Sequence, residues 1–215
     1  MKPLRDCRLY TFVDTAWLRG RKPEEVVQQL CDGGADLIQL RAKSSTPGEV
    51  RRFAEAIVRI TDRAGVGLII NDHPQLAVQT GAFGCHLGQE DFFDAGYTQA
   101  TQVTGCPAAI KLGLSTHAPE QARRALGARA DYIAIGPVFA TDTKPTARPV
   151  TLEYVRWAAA NVSAPWFAIG GITLQNLDEV LAAGARRICV VSAILNSPDI
   201  AKACRALKDR LPSAP

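Results

Sequence analysis

The stretch Gly33-Gly34-Ala35-Asp36-Leu37-Ile38-Gln39-Leu40 decides the fold, because its plan recurs. It returns as GAFGCHLG (81–88), GARADYIAIG (127–136) and GARRICVVS (184–192). Each copy opens on a glycine that can close the preceding helix in the left-handed conformation. One or two residues later the chain enters a short apolar run that reads as a strand. Four copies of one helix–glycine–strand junction fit a closed (β/α)8 barrel better than an open sheet. The open, doubly wound alternative lacks its signature: no strand leads into GxGxxG, and no GxxxxGK[ST] occurs.

Outward from these copies, eight strand candidates cover 8–13, 37–40, 67–70, 84–87, 110–114, 132–135, 166–169 and 188–191. They are continuous Val/Ile/Leu runs, the pattern of parallel strands covered on both faces. Between them lie amphipathic segments. Residues 23–31 put Val26, Val27 and Leu30 on one face, and 47–64 put Val50, Phe53, Ala54, Ile57, Val58 and Thr61 at helical spacing. A further helix is expected over 173–183 with Thr173 as its N-cap. Strands alternating with helices imply a parallel sheet. The expectation is an α/β protein, a single-domain (β/α)8 TIM barrel over residues 1–215.

Composition agrees. The chain has 215 residues, 47% hydrophobic and 21% charged, too apolar and too weakly charged for disorder. A chain of this length buries about 70% of its unfolded surface, so its core needs no disulfides or structural metal. The net charge of +4 is spread along the sequence with no basic tract, which predicts neither a nucleic-acid nor a membrane partner but suits a small anionic substrate. The six cysteines (7, 31, 85, 106, 189, 204) have no zinc-finger or redox spacing, and Cys85 and Cys189, within apolar strand-like runs, read as buried reduced thiols. The N-terminus carries no apolar h-region, and a cytoplasmic protein is expected. Oligomeric state is not legible, and a homo-oligomer stays open.

A barrel builds its site at the C-terminal strand ends, with phosphate commonly held after strands seven and eight. Strand two exits as Gln39-Leu40-Arg41-Ala42-Lys43. Alternation sends Leu40 and Ala42 to the helices and Gln39, Arg41 and Lys43 to the axis. Two converging cations repel unless an anion joins them, so an anion site is expected there. Strand three ends in Asn71-Asp72, and strand four runs into Gly88-Gln89-Glu90-Asp91. Asp72 and Asp91 are the expected Mg²⁺ ligands, since one or two carboxylates plus phosphate oxygens is the usual way proteins hold Mg²⁺. Glu90 and Asp94 are weaker choices.

Ser115, at the exit of strand five, adds a hydroxyl. After strand six, residues 136–149 form the longest irregular stretch, bringing Thr141, Thr143 and Lys144. Gly170-Gly171 after strand seven and Val191-Ser192 after strand eight make a phosphate site. His73, His86 and His117 show no metal or hydrolase spacing, and Ser115-Thr116-His117 lacks a nucleophile elbow. His86 reads as a hydrogen-bonded core imidazole, while Lys111 has no evident role. Two anion sites with Mg²⁺ and no general base suggest joining two phosphorylated small molecules as a metal-bound leaving group departs.

Taken in order, Gln39-Leu40-Arg41-Ala42-Lys43, Ile70-Asn71-Asp72, His86-Leu87-Gly88-Gln89-Glu90-Asp91, the run 136–144, Ile169-Gly170-Gly171-Ile172-Thr173 and Val191-Ser192-Ala193-Ile194 resemble the thiamine phosphate synthase family. The resemblance covers about residues 8–208. It implies that 4-amino-2-methyl-5-hydroxymethylpyrimidine diphosphate loses diphosphate and that the nitrogen of a thiazole phosphate captures the resulting cation. It implies that Gln39, Arg41, Lys43, Asn71, Ser115 and Lys144 hold the pyrimidine diphosphate, with Lys43, Ser115 and Lys144 catalytic. Asp72 and Asp91 would bind Mg²⁺, and Thr141, Thr143, Gly171, Val191 and Ser192 the thiazole phosphate.

The chain departs from the family at Ala42, where Glu is usual, at Thr151, where Gly is usual and an N-cap is expected instead, and at His73. Two rivals remain in view. One is a thiazole tautomerase on the same barrel, which looks to carry a His near the position of Pro137. The other is a catalytically silent barrel that senses a thiamine precursor.

Overall fold

A computed structural model describes residues 1–105, 108–141 and 148–212. Eight strands close into a parallel barrel in sequence order. They are β1 (Leu9–Asp14), β2 (Leu37–Arg41), β3 (Gly67–Asn71), β4 (Gly84–Gly88), β5 (Lys111–Thr116), β6 (Tyr132–Ile135), β7 (Trp166–Ile169) and β8 (Ile188–Val190). Each strand candidate falls on one of them. The helices are α1 (Pro23–Asp32), α2 (Pro47–Ala64), α3 (Pro74–Gln79), α4 (Gln89–Asp94), α5 (Thr101–Thr104), α6 (Pro119–Gly127), α7 (Thr151–Asn161), α8 (Leu177–Ala182), α9 (Ser192–Leu195) and α10 (Ile200–Arg210).

Local chemistry explains these boundaries. In α2, Thr46 and Glu49 form a reciprocal capping box, Pro47 occupies the first turn and Gly65 closes the helix at φ +68°. Its buried face, Val50, Ala54, Ile57 and Thr61, is the stripe that its periodicity predicts. The expected start of α8 at Thr173 is corrected: the helix begins four residues later, at Leu177. Asn176 is the reason. Its side chain accepts from the Thr173 N–H and donates to the Gly171 carbonyl, holding 171–176 as a turn.

The glycine rule holds for two of the four recurrent junctions as read, at Gly81 and Gly184. In the first copy the left-handed residue is Gly34 rather than Gly33, and in the third Arg129 takes φ +61° while Gly127 ends α6. Two copies share a further device. Asp36 and Asp131 precede β2 and β6, and each accepts a backbone N–H from the strand before: Arg8 and Leu9 for Asp36, Leu112 for Asp131. Lys111 therefore has a place, pairing with Asp131 at 2.9 Å on the N-terminal rim.

The interior is aromatic. Tyr10 on β1 contacts Tyr132 on β6 and Phe167 on β7 edge-on, at centroid distances of 6.0 and 5.4 Å. β1 does not pair with β6, so this contact crosses the barrel axis. Such edge-to-face pairs contribute about 0.5–1.5 kcal/mol each beyond their burial. The five described cysteines are free, and burial raises the Cys7, Cys85 and Cys204 thiols to about 12, which leaves them protonated and inert.

Candidate active site

The C-terminal strand ends enclose one cavity. Gln39, Arg41, Lys43, Asn71, Asp72, Asp91, Ser115, Thr141, Gly171, Val191 and Ser192 all line it. Thr143 and Lys144 lie outside the described residues.

Alternation along β2 places these groups as expected: Leu40 and Ala42 are buried, while Gln39, Arg41 and Lys43 line the cavity. The two cations already have carboxylate partners. Arg41 pairs with Asp14 at 2.7 Å, and Lys43 with Asp72 at 2.7 Å. The repulsion expected between the cations, the ground for an anion site there, is thus relieved within the protein by Asp14 and Asp72. Asp14 is a residue the sequence reading missed. It is the last residue of β1, its neighbour in register is Arg41, and its other oxygen accepts from Ala16 N–H. An acidic residue at the exit of the first strand was the available signal.

Asp72 sits at φ +63°, a region Asp tolerates better than most side chains. Its N–H donates to the His86 carbonyl across β3 and β4, and its Oδ2 accepts from Asn71 and Lys43. Asp91, in the first turn of α4, folds back over Gly88. A Cβ on Gly88 would stand 2.5 Å from the Asp91 carboxylate, so only glycine leaves that space.

Opposite these groups, Gly170 and Gly171 take φ +104° and +64°. The pair is required by its own neighbours: a Cβ on Gly171 would come within 2.5 Å of the Ala140 carbonyl and 2.7 Å of Phe139. The loop after β6 is stitched to this point by Val138 N–H to Ile169 O and Phe139 N–H to Gly170 O, at 2.8 and 3.1 Å. Val191 precedes the short α9, whose first residue is Ser192.

The histidines divide by partner. His117 Nδ1 meets the Gly136 carbonyl, so the Ser115-Thr116-His117 sequence makes no Ser–His pair. The imidazole beside Ser115 is that of His86, with Nε2 2.9 Å from Ser115 Oγ and Nδ1 3.2 Å from the Tyr132 hydroxyl. A serine hydrolase needs a carboxylate at Nδ1; a phenol stands there. His86 is the hydrogen-bonded, buried imidazole that was expected, and it also lines the cavity.

Thr151, where the resembled family usually has Gly, lies at φ +61°. Its Oγ1 accepts from Glu153 N–H at 3.3 Å, which partly offsets the strain of its backbone, but the expected N-cap is corrected: Thr151 is the first residue of α7, and Val150 holds the cap position. Among the described residues no three His, Cys, Asp or Glu side chains form a metal cage. Among the described residues no helix is long and apolar enough to cross a membrane.

Fold and site together define a (β/α)8-barrel enzyme whose cavity pairs cations with carboxylates on one side and offers a glycine and hydroxyl cradle on the other. Residues 9–194 match the family described as Thiamine monophosphate synthase. The chain is 47% identical over 187 residues to a thiamine-phosphate synthase of Thermus thermophilus, covering 83% of this chain and 84% of that one. It is 39% identical over 202 residues to the enzyme of Halalkalibacterium halodurans, covering 94% and 93%. A thiamine phosphate pyrophosphorylase structure from Pyrococcus furiosus superposes with a TM-score of 0.81 at 28% identity over 96% of both chains. The chain belongs to the thiamine monophosphate synthase family, whose members are transferases.

Proposed function

We propose that this chain condenses 4-amino-2-methyl-5-hydroxymethylpyrimidine diphosphate with 4-methyl-5-(2-phosphoethyl)thiazole to thiamine phosphate and diphosphate, or with its carboxylated form to the same products with loss of carbon dioxide and uptake of a proton. The observation that carries the reading is one cavity with two unlike ends: Arg41, Lys43, Asp72 and Asp91 on one side, Gly171, Val191 and Ser192 on the other. The C–O bond to diphosphate breaks with its electron pair leaving on oxygen, and the thiazole nitrogen supplies the pair for the new C–N bond. Gln39 and Asn71 orient the pyrimidine diphosphate. Lys43 and Ser115, with Lys144, stabilise the growing negative charge, and electrostatics of this kind commonly supplies most of a barrier reduction. Thr141 and Thr143 join the thiazole phosphate site.

Mg²⁺ fits the donor set. Asp72 and Asp91 are hard oxygen donors on one cavity, and Mg²⁺ typically takes one or two carboxylates and completes its shell with phosphate oxygens and water. Asp72 and Asp91 would hold it, and it would supply positive charge for the departing diphosphate. A cytoplasmic location goes with the reduced cysteines of this reading.

The test mixes both substrates with Mg²⁺ and follows product as fluorescent thiochrome. Product formation is expected. Tight thiazole phosphate binding without product supports a sensor, and thiazole isomerisation without coupling supports a tautomerase. Asp91→Ala is expected to raise the Mg²⁺ concentration needed for half-maximal rate about ten-fold or more while leaving thiazole phosphate binding within about two-fold. Equal loss of both would overturn the division into two ends.

A further inference from the structure

Beneath the cavity a hydrogen-bonded chain crosses the barrel interior. Gln39 Nε2 donates to the Tyr10 hydroxyl, which lies 3.1 Å from the Tyr132 hydroxyl. Tyr132 reaches His86 Nδ1 at 3.2 Å, and His86 Nε2 reaches Ser115 Oγ at 2.9 Å. Five strands contribute in turn: β2, β1, β6, β4 and β5. Burial raises both phenols well above the usual tyrosine value, so each stays a neutral O–H with one proton to give.

One proton per phenol lets the chain run in a single direction from Gln39 to the cavity. In that arrangement Tyr10 accepts from Gln39 and donates to Tyr132. Tyr132 then gives its proton to Nδ1 of His86. A neutral imidazole that accepts at Nδ1 carries its proton on Nε2, and it donates that proton to Ser115. The Ser115 hydroxyl, its oxygen occupied by His86, has its own proton left for the cavity it lines. In a hydrolase the order is reversed, with serine donating to histidine.

We propose that His86 is a positioning residue: it holds Ser115 as a hydrogen-bond donor aimed at an anionic oxygen of the substrate. This deepens the synthase reading and rests on it, the oxygen being one on the departing diphosphate, where charge grows as the C–O bond breaks. Neither residue forms a covalent bond. The chain also ties the Gln39 end of the cavity to the Ser115 end, so the amide orientation at one is felt as hydroxyl orientation at the other.

The first test needs no turnover, and so fails or succeeds separately from the synthase assay. In protein carrying ¹⁵N-histidine, the His86 signals are identified by their loss in His86→Gln. A neutral ring protonated at Nε2 is expected, whereas protonation at Nδ1 would overturn the proposal. Tyr132→Phe, which keeps the ring and removes the link, is expected to convert His86 to a mixture of tautomers.

The second test is kinetic, on variants shown by melting to be folded. His86→Leu is expected to lower kcat on the order of ten- to a hundred-fold with KM for both substrates within about two-fold, since the donor acts mainly on the transition state. His86→Gln, whose amide N–H can reach Ser115, is expected to recover most of that loss. Equal loss in Leu and Gln, or a raised KM at unchanged kcat, would overturn the assignment. Should His86→Leu fail to fold, the tautomer of the unaltered protein decides.

Discussion

At the N-terminal end of the strands the Asp36 carboxylate receives two backbone N–H groups, from Arg8 and Leu9, and two ammonium groups, from Lys2 and Lys208. At the opposite end Asp72 receives Asn71 and Lys43, with its pair to Lys43 part-exposed at the edge of a cavity. The residue types are the same, an aspartate and a lysine in contact. What differs is how much of the carboxylate is already spent. Asp36 is saturated and closes β1 against β2, so its charge works for the fold. Asp72 keeps capacity and sits on a left-handed backbone, so its charge is available to a ligand. Ion pairs in one barrel therefore cannot be read as a class: the bottom rim saturates a buried carboxylate, while the mouth leaves one part-exposed beside a cavity.

The largest expected effect comes at the mouth. Lys43→Ala should lower kcat/KM in the thiochrome assay on the order of 10²–10³-fold. Its melting free energy should change by less than about 1 kcal/mol, because the pair it breaks is substantially solvated. The reverse pattern, a stability loss with activity kept, would break the contrast between the two ends.

Asp36→Asn is the complementary change. It should cost about 2–4 kcal/mol in urea unfolding and leave kcat of the folded protein within about two-fold.

Acid sharpens the same point. Burial alone would raise the Asp36 carboxyl, but its hydrogen bonds from Lys2, Lys208, Leu9 and Arg8 outweigh burial and hold it below the usual value. A depressed folded value means the contribution is full above the unfolded carboxylate range, near about pH 4, and is lost as pH falls through the folded value. The stability gap between the unaltered protein and Asp36→Asn should therefore narrow on acidification below about pH 4. A gap that stays constant would place the stabilisation elsewhere.

The smallest effect concerns strain near the mouth. Thr151→Gly should raise stability by about 1 kcal/mol, the left-handed backbone costing a β-branched residue more than the lost Glu153 bond returns. A lower melting temperature would show that the Glu153 bond dominates.

Much of this was legible in the chain as written. The apolar runs placed all eight strands to within a residue or two, because strands covered on both faces are dominantly apolar. Alternation along 39–43 put Gln39, Arg41 and Lys43 on the axis because successive side chains point to opposite faces. The misreadings came where a partner distant in sequence decides. Thr173 looked like a cap until Asn176 held the preceding turn. Lys111 made no sense until Asp131, twenty residues on, came beside it.

Sequence by itself determined the repeating plan, the barrel and most of the described residues at its mouth, since periodicity and strand-end position are local properties. Only the tertiary structure decided pairing: Arg41 with Asp14, Lys43 with Asp72, and Ser115 with His86 rather than with His117 two residues away. Ring closure brings six of these side chains together from β1 to β5, and no pattern along a chain encodes which donor meets which acceptor across a closed barrel.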